Sequence, residues 1–202
     1  MPAQHSNGQT AILVIHEIYG MNRHMTDWSE QLKALGYKVY LPDLLAGHPP
    51  FDYTEANEAY RYFTEQVGFE QAAQIVKELA ISLRPSYDQI ILIGCSVGAT
   101  IAWLASEEEG LCDKMVGFYG SRIRDYLDHE PHCPSLLLFP ERESSFDVHQ
   151  LIRELRTKAN VHVNAYAGEH GFADQYSNHY LEESAKRAWD EMLAFIQPVR
   201  PK

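Results

Sequence analysis

The chain has 202 residues, enough for one domain with a sizeable core, and its 45% hydrophobic and 11% aromatic content is that of a folded globular protein. A formal net charge of −11 with no Lys/Arg-rich run excludes the phosphate neutralisation that nucleic-acid or anionic-membrane binding requires. Three cysteines without CxxC spacing suit a reducing, cytoplasmic setting better than a disulfide framework.

The opening MPAQHSNGQT has neither a basic nor an apolar region and is not read as a secretion signal. The first apolar run, Ala11–Ile15, predicts a strand and delivers His16 and Glu17 to its end. Trp28, Leu32 and Leu35 then fall on one helical face, which Gly36 terminates. Val39–Leu41 predicts a second strand. From Pro42 to about Glu55 no periodicity survives, only turn formers and rings (Gly47, Pro49, Pro50, Phe51, Tyr53), so residues 42–66 read as a mouth-covering loop leading into a helix. Ala72, Ile75, Val76, Leu79 and Ala80 carry a fuller helical stripe.

Ile90–Ile93 predicts the third strand, and it runs directly into Gly94-Cys95-Ser96-Val97-Gly98 and an apolar helix. A serine between two glycines at a strand-to-helix turn is the pattern of a nucleophile elbow. The strained turn thrusts Oγ above the sheet, and the helix start aims N–H groups at the same place. The alternative is a tight turn with a capping serine. Cys95, one residue earlier, points inward and reads as a structural thiol.

Met115–Tyr119 and Leu136–Phe139 predict two more strands, and Val161–Tyr166 a sixth with alternating pattern. The intervening DHEPHCP (Asp128 to Pro134) matches no closed zinc spacing and reads as a polar loop. His16-Glu17 lacks the second histidine of HExxH, so no metal and no cofactor are expected. A serine hydroxyl needs a histidine to take its proton and a carboxylate to orient that histidine. In this order of elements the acid follows a later strand and the histidine comes last. His170, between Gly168 and Gly171, fits the base; Glu143 fits the acid, with Asp147 as the alternative that begins the next helix. Leu181, Ala185, Trp189, Met192 and Ile196 close the chain with a last helix before Pro198.

Alternating strands and helices predict a single α/β domain over 1–202, a mostly parallel twisted sheet with helices on both faces. With these segments placed, the chain resembles the dienelactone hydrolase family of α/β-hydrolases. The resemblance rests on Ile15 to Gly20, Leu41 to Leu44, the elbow, Gly117 to Gly120, Phe139 to Glu143, and Glu169 to Ala173. It implies the α/β-hydrolase fold, hydrolysis of an ester or lactone through an acyl-enzyme, and an oxyanion hole from the backbone N–H groups of Ile18 and Val97. It also implies supporting places for Glu17, against the nucleophile, and for Tyr119. The family's namesakes carry cysteine where this chain has Ser96. They carry arginine after the His-x-Phe-Ala segment, where this chain has Asp174, expected at the mouth of the site. The expected substrate is therefore a small neutral or cationic molecule, with Phe51, Tyr53, Tyr60 and Tyr119 as candidate lining of an acyl pocket. The rival reading is a catalytically silent or lyase-type protein of the same fold. Thiol redox chemistry is not expected, because no cysteine is paired in the sequence. The assembly expected is a monomer or homodimer.

Overall fold

The computed structural model describes residues 9–197. Six strands, β1 (Thr10–Ile15), β2 (Lys38–Tyr40), β3 (Gln89–Cys95), β4 (Lys114–Phe118), β5 (Ser135–Pro140) and β6 (Val161–Tyr166), form one sheet in the order β2-β1-β3-β4-β5-β6. All five pairings are parallel, with β1 in register with β3 over the whole length of β1, from Thr10 opposite Gln89 to Ile15 opposite Gly94.

Continuous apolar strands need cover on both faces. One face packs under α3 (Phe69–Leu83), α4 (Val97–Ala105) and α5 (Val148–Leu155) and buries Leu13, Ile15, Leu92, Leu137 and Phe139 with Val76, Ile101 and Leu151. The other packs under α1 (Arg23–Ala34) and α6 (Glu182–Ile196) and buries Ile12, Val14, Ile93 and Phe118 with Trp28, Ala188 and Met192. The predicted face of Trp28, Leu32 and Leu35 loses Leu35, which is 56% exposed at the end of its helix, and gains Met25. The irregular stretch after β2 holds a short 3-10 turn, Tyr53–Glu55, and then α2 (Ala56–Tyr62), which periodicity did not announce. Only Ala59 of α2 is buried, so there is no apolar stripe to read.

The chain runs from β1 outward to β2, then returns to place β3 on the other side of β1. Ligands of open α/β sheets bind at such a switch point, outside the carboxyl ends of the strands. Here those ends deliver His16 and Glu17 from β1 and Ser96 from β3. No helix among the described residues is long and apolar enough to cross a membrane.

Candidate active site

The elbow is a close approach between three backbone segments. A side chain on Gly94 would place its Cβ 2.2 Å from the Gly98 carbonyl oxygen, and one on Gly98 would place it 2.1 Å from that of Ile15. Glycine at both positions lets α4 start directly against the ends of β3 and β1. Between them Ser96 is held at φ 54° and ψ −116°, a conformation that costs an L-residue about 1–3 kcal/mol. Its N–H donates to Phe118 C=O at 2.9 Å, which locks the turn to β4.

Ser96, His170 and Glu143 meet. His170 Nε2 lies 2.9 Å from Ser96 Oγ, and His170 Nδ1 lies 2.8 Å from Glu143 Oε1. With Glu143 Oε1 as acceptor, Nδ1 is the donor and Nε2 presents its lone pair to the serine hydroxyl. The Glu143 side chain is 5% exposed and that of His170 37%, so the carboxyl group is shielded while the imidazole reaches the solvent side. Asp147 is not in this row. It caps α5, accepting from His149 N–H at 2.9 Å and Gln150 N–H at 3.1 Å.

Val97 is the first residue of α4, so its N–H has no acceptor within the helix. Ile18 sits in the turn after β1 that Gly20 N–H closes onto Glu17 C=O at 3.2 Å. The contact of Gly98 with the end of β1 brings this turn beside the helix start. His16, 1% exposed, ties the turn to the loop after β2: Leu44 N–H donates to its Nε2 at 3.0 Å, so its Nδ1 donates to Glu17 C=O at 2.7 Å. Burial lowers its pKa and keeps it neutral.

Beneath the row lies a second polar assembly. Tyr119, fully buried at φ 41°, stands with its ring centroid 5.0 Å from that of His170 and donates its hydroxyl to Glu17 Oε1 at 3.1 Å. Burial, with the charge of Asp174 adding to it, pushes the Glu17 carboxyl up to about 7. His24 contacts Asp174 through Nδ1 at 3.5 Å, while its Nε2, 4.0 Å from Glu17, has no hydrogen-bond partner. Burial pushes His24 down to about 4. Asp174 is a correction to the sequence reading. It is 1% exposed rather than at the mouth, and accepts from Tyr53 OH at 2.5 Å and Tyr176 N–H at 2.9 Å. Tyr53 OH in turn accepts from Asn22 Nδ2 at 3.1 Å.

Glu17, His24 and Cys95 place three donor atoms within 4.8 Å of one another, the only such group found among the described residues. Their chemistry is poor for a cation. Burial raises the Cys95 thiol well above its usual value, the neighbouring Glu17 charge adding to this, and one Glu17 oxygen already accepts from Tyr119.

The four rings expected around an acyl pocket do not converge on one. Phe51 stacks on His48 with centroids 4.3 Å apart beneath the loop after β2, Tyr53 turns inward to Asp174, and Tyr119 is buried. Only Tyr60 is exposed, at 40% on α2. A recess beside the row is instead lined by Arg142, Glu143, Ser144, Glu169, His170 and His179. Arg142 and His179 both face Glu169, at 3.7 and 3.1 Å. Sequence reasoning missed His24, Asn22 and the inward role of Asp174 and Tyr53. Tyr53 and Asp174 are 121 positions apart, and no local pattern marks either as a partner of the other.

A profile of the dienelactone hydrolase family matches residues 2–200. The uncharacterized protein YczH of Bacillus subtilis (strain 168) is 39% identical over 171 residues, which cover 84% of this chain and 83% of that protein. A carboxymethylenebutenolidase of Pseudomonas putida is 27% identical over 95% of this chain and 86% of its own length. Among solved structures, a Klebsiella pneumoniae protein provisionally assigned as a dienelactone hydrolase superposes with a TM-score of 0.76 at 24% identity, covering 95% of this chain and 88% of that one. At that identity the likeness speaks to the α/β-hydrolase fold alone.

Proposed function

The chain belongs to the dienelactone hydrolase family, whose members hydrolyse carboxylic esters and lactones, and from that premise we propose that Ser96 is the nucleophile of a small ester or lactone hydrolase. The observation that carries this reading is the continuous row Ser96 Oγ, His170, Glu143, with 2.9 and 2.8 Å contacts, built on a serine held at positive φ.

In the proposed cycle His170 Nε2 takes the hydroxyl proton as Oγ attacks the carbonyl carbon. Glu143 stabilises the resulting imidazolium through Nδ1 and is not itself protonated. The tetrahedral oxyanion is received by the N–H groups of Ile18 and Val97, each such donor being worth about 3–4 kcal/mol in the transition state. The imidazolium then protonates the leaving alcohol, an acyl-serine remains, and water enters by the same proton transfers in reverse. Glu17 is assigned a supporting part: as an acceptor for Tyr119 it holds the ring that packs beside His170.

The substrate class follows from charge. The whole chain carries −11, and the Arg142 guanidinium of the recess faces Glu169, so a substrate carboxylate finds no free guanidinium there. A short neutral ester or lactone fits best. Intact mass after incubation with a fluorophosphonate tests the nucleophile. One adduct on the wild type, absent in Ser96→Ala and strongly slowed in His170→Ala, supports the reading. An unlabelled wild type overturns it in favour of a silent site.

A further inference from the structure

At the opposite end of the sheet from Ser96, the other two cysteines meet. Cys112 lies in the segment entering β4 and Cys133 in the segment entering β5, and these strands are parallel neighbours with Met115 opposite Ser135. Both approaches are pinned. Asp113 N–H donates to Ile90 C=O at 2.7 Å, Asp113 Oδ2 accepts from Ile90 N–H at 2.7 Å and from Arg84 at 2.8 Å, and Met115 N–H donates to Pro134 C=O at 3.0 Å. On the other side Ser135 N–H donates to Asn160 C=O at 2.8 Å, and the Ser135 hydroxyl to Cys133 C=O at 3.0 Å. Within this frame the two reduced sulfurs stand 3.3 Å apart, 7% and 3% exposed as residues. The structure thus pairs two cysteines that sequence spacing leaves unpaired. Cys95, at the far end of β3, has neither thiol near it in sequence or register.

We propose that Cys112 and Cys133 are an oxidative modification site, closing to an intramolecular disulfide in the presence of hydrogen peroxide. The Cys133 sulfur attacks a peroxide oxygen, the O–O bond breaks, and a sulfenic acid forms with release of one water. The Cys112 sulfur then attacks that sulfenic sulfur, the S–S bond forms, and the hydroxyl leaves with the Cys112 proton as a second water. Two thiols and one hydrogen peroxide thus give one disulfide and two waters. The order is set by the pair itself. Contact with Cys112 lowers the Cys133 pKa against the opposing effect of burial, while the same contact raises that of Cys112, so Cys133 is the sulfur that loses its proton first. With the resolving sulfur already in contact, closure outcompetes further oxidation. The bond joins the entrances of β4 and β5 and cross-links the segment 113–132, which contains Tyr119 and the Ser121–Asp125 turn. The whole length of β4 separates it from the elbow, so it acts on stability rather than on the chemistry at Ser96.

Hydrogen peroxide is the probe, applied to the whole wild-type protein. Intact mass falls by about 2 Da, and alkylation under denaturing conditions finds one thiol instead of three. Lys114, Arg122 and Arg124 lie between the pair, so trypsin without reductant leaves linked peptides, and a second cut after Glu109 by a glutamate-specific protease separates Cys95 from Cys112 and identifies the sulfur joined to Cys133. The thermal midpoint rises by about 5–10 °C and returns on reduction, while kcat/KM for a short ester stays within about twofold. Cys95→Ser keeps the mass loss, the cross-link and the thermal shift; Cys112→Ser instead accumulates oxygen on Cys133. Refolding from urea in a glutathione redox buffer removes any dependence on peroxide access. If all three thiols remain free there, or if Cys95 appears in the cross-link, the proposal is wrong.

Discussion

The row Ser96, His170, Glu143 and the cluster Glu17, His24, Cys95, Asp174 share Tyr119, whose ring touches the first and whose hydroxyl touches the second. They use the same kinds of side chain to opposite ends. In the row, the base is 37% exposed and every proton has a donor and an acceptor in line, so a proton can move. In the cluster, burial holds Glu17 near 7 and His24 near 4, so each stays neutral over part of the range where it is normally charged. The solvent access of the histidine, and not residue type, separates the proposed reacting row from the buried cluster, since the carboxyl groups of Glu143 and Glu17 are both shielded.

Changes in the row should therefore cost rate and spare stability. Ser96→Ala is expected to lower kcat/KM for a short nitrophenyl ester about 10⁴–10⁶-fold while moving urea-denaturation stability by no more than about 1 kcal/mol. A loss of less than tenfold would place the nucleophile elsewhere. Glu143→Gln, which keeps shape but not charge, should reduce kcat about 10²–10⁴-fold.

The cluster should do the reverse. Below the ordinary Glu value of 4.5 both folded and unfolded chains hold the Glu17 proton; between 4.5 and about 7 the unfolded chain has released it and the fold has not. Rising pH therefore favours unfolding through that window, by up to about 3 kcal/mol at pH 8 relative to pH 4. Glu17→Gln should flatten the profile and be the more stable protein at pH 8; parallel denaturation curves at the two pH values read the difference. His24 has the opposite sign, its contribution being lost as pH falls from 6.5 towards 4. Tyr53→Phe keeps the ring on Tyr19 but leaves Asp174 short of a donor, and should cost about 1–3 kcal/mol of stability with kcat little changed. The smallest effect separates two nearby acids: Asp147→Ala should cost about 1 kcal/mol through loss of the α5 cap and leave kcat within about twofold.

The elbow was legible because its constraints are local. Gly94 and Gly98 are forced by backbone contacts within a few residues or with the adjacent strand, and they flank the serine in the sequence itself. His170 was legible from its place after the last strand, and Glu143 from chain order, although order alone left Asp147 open. The loop after β2 was legible only as an irregularity. Its one turn of 3-10 helix and α2 bury too little apolar surface to leave a period.

By itself the sequence determined the α/β architecture, the strand runs, the elbow and the family, since each depends on residue period, glycine placement or order along the chain. Only the tertiary structure decided which acid faces His170, that Asp174 points inward, and that Cys112 meets Cys133. Each of those facts is a contact between segments brought together by parallel strand pairing, and a crossover erases the partners' distance in sequence without leaving a local trace.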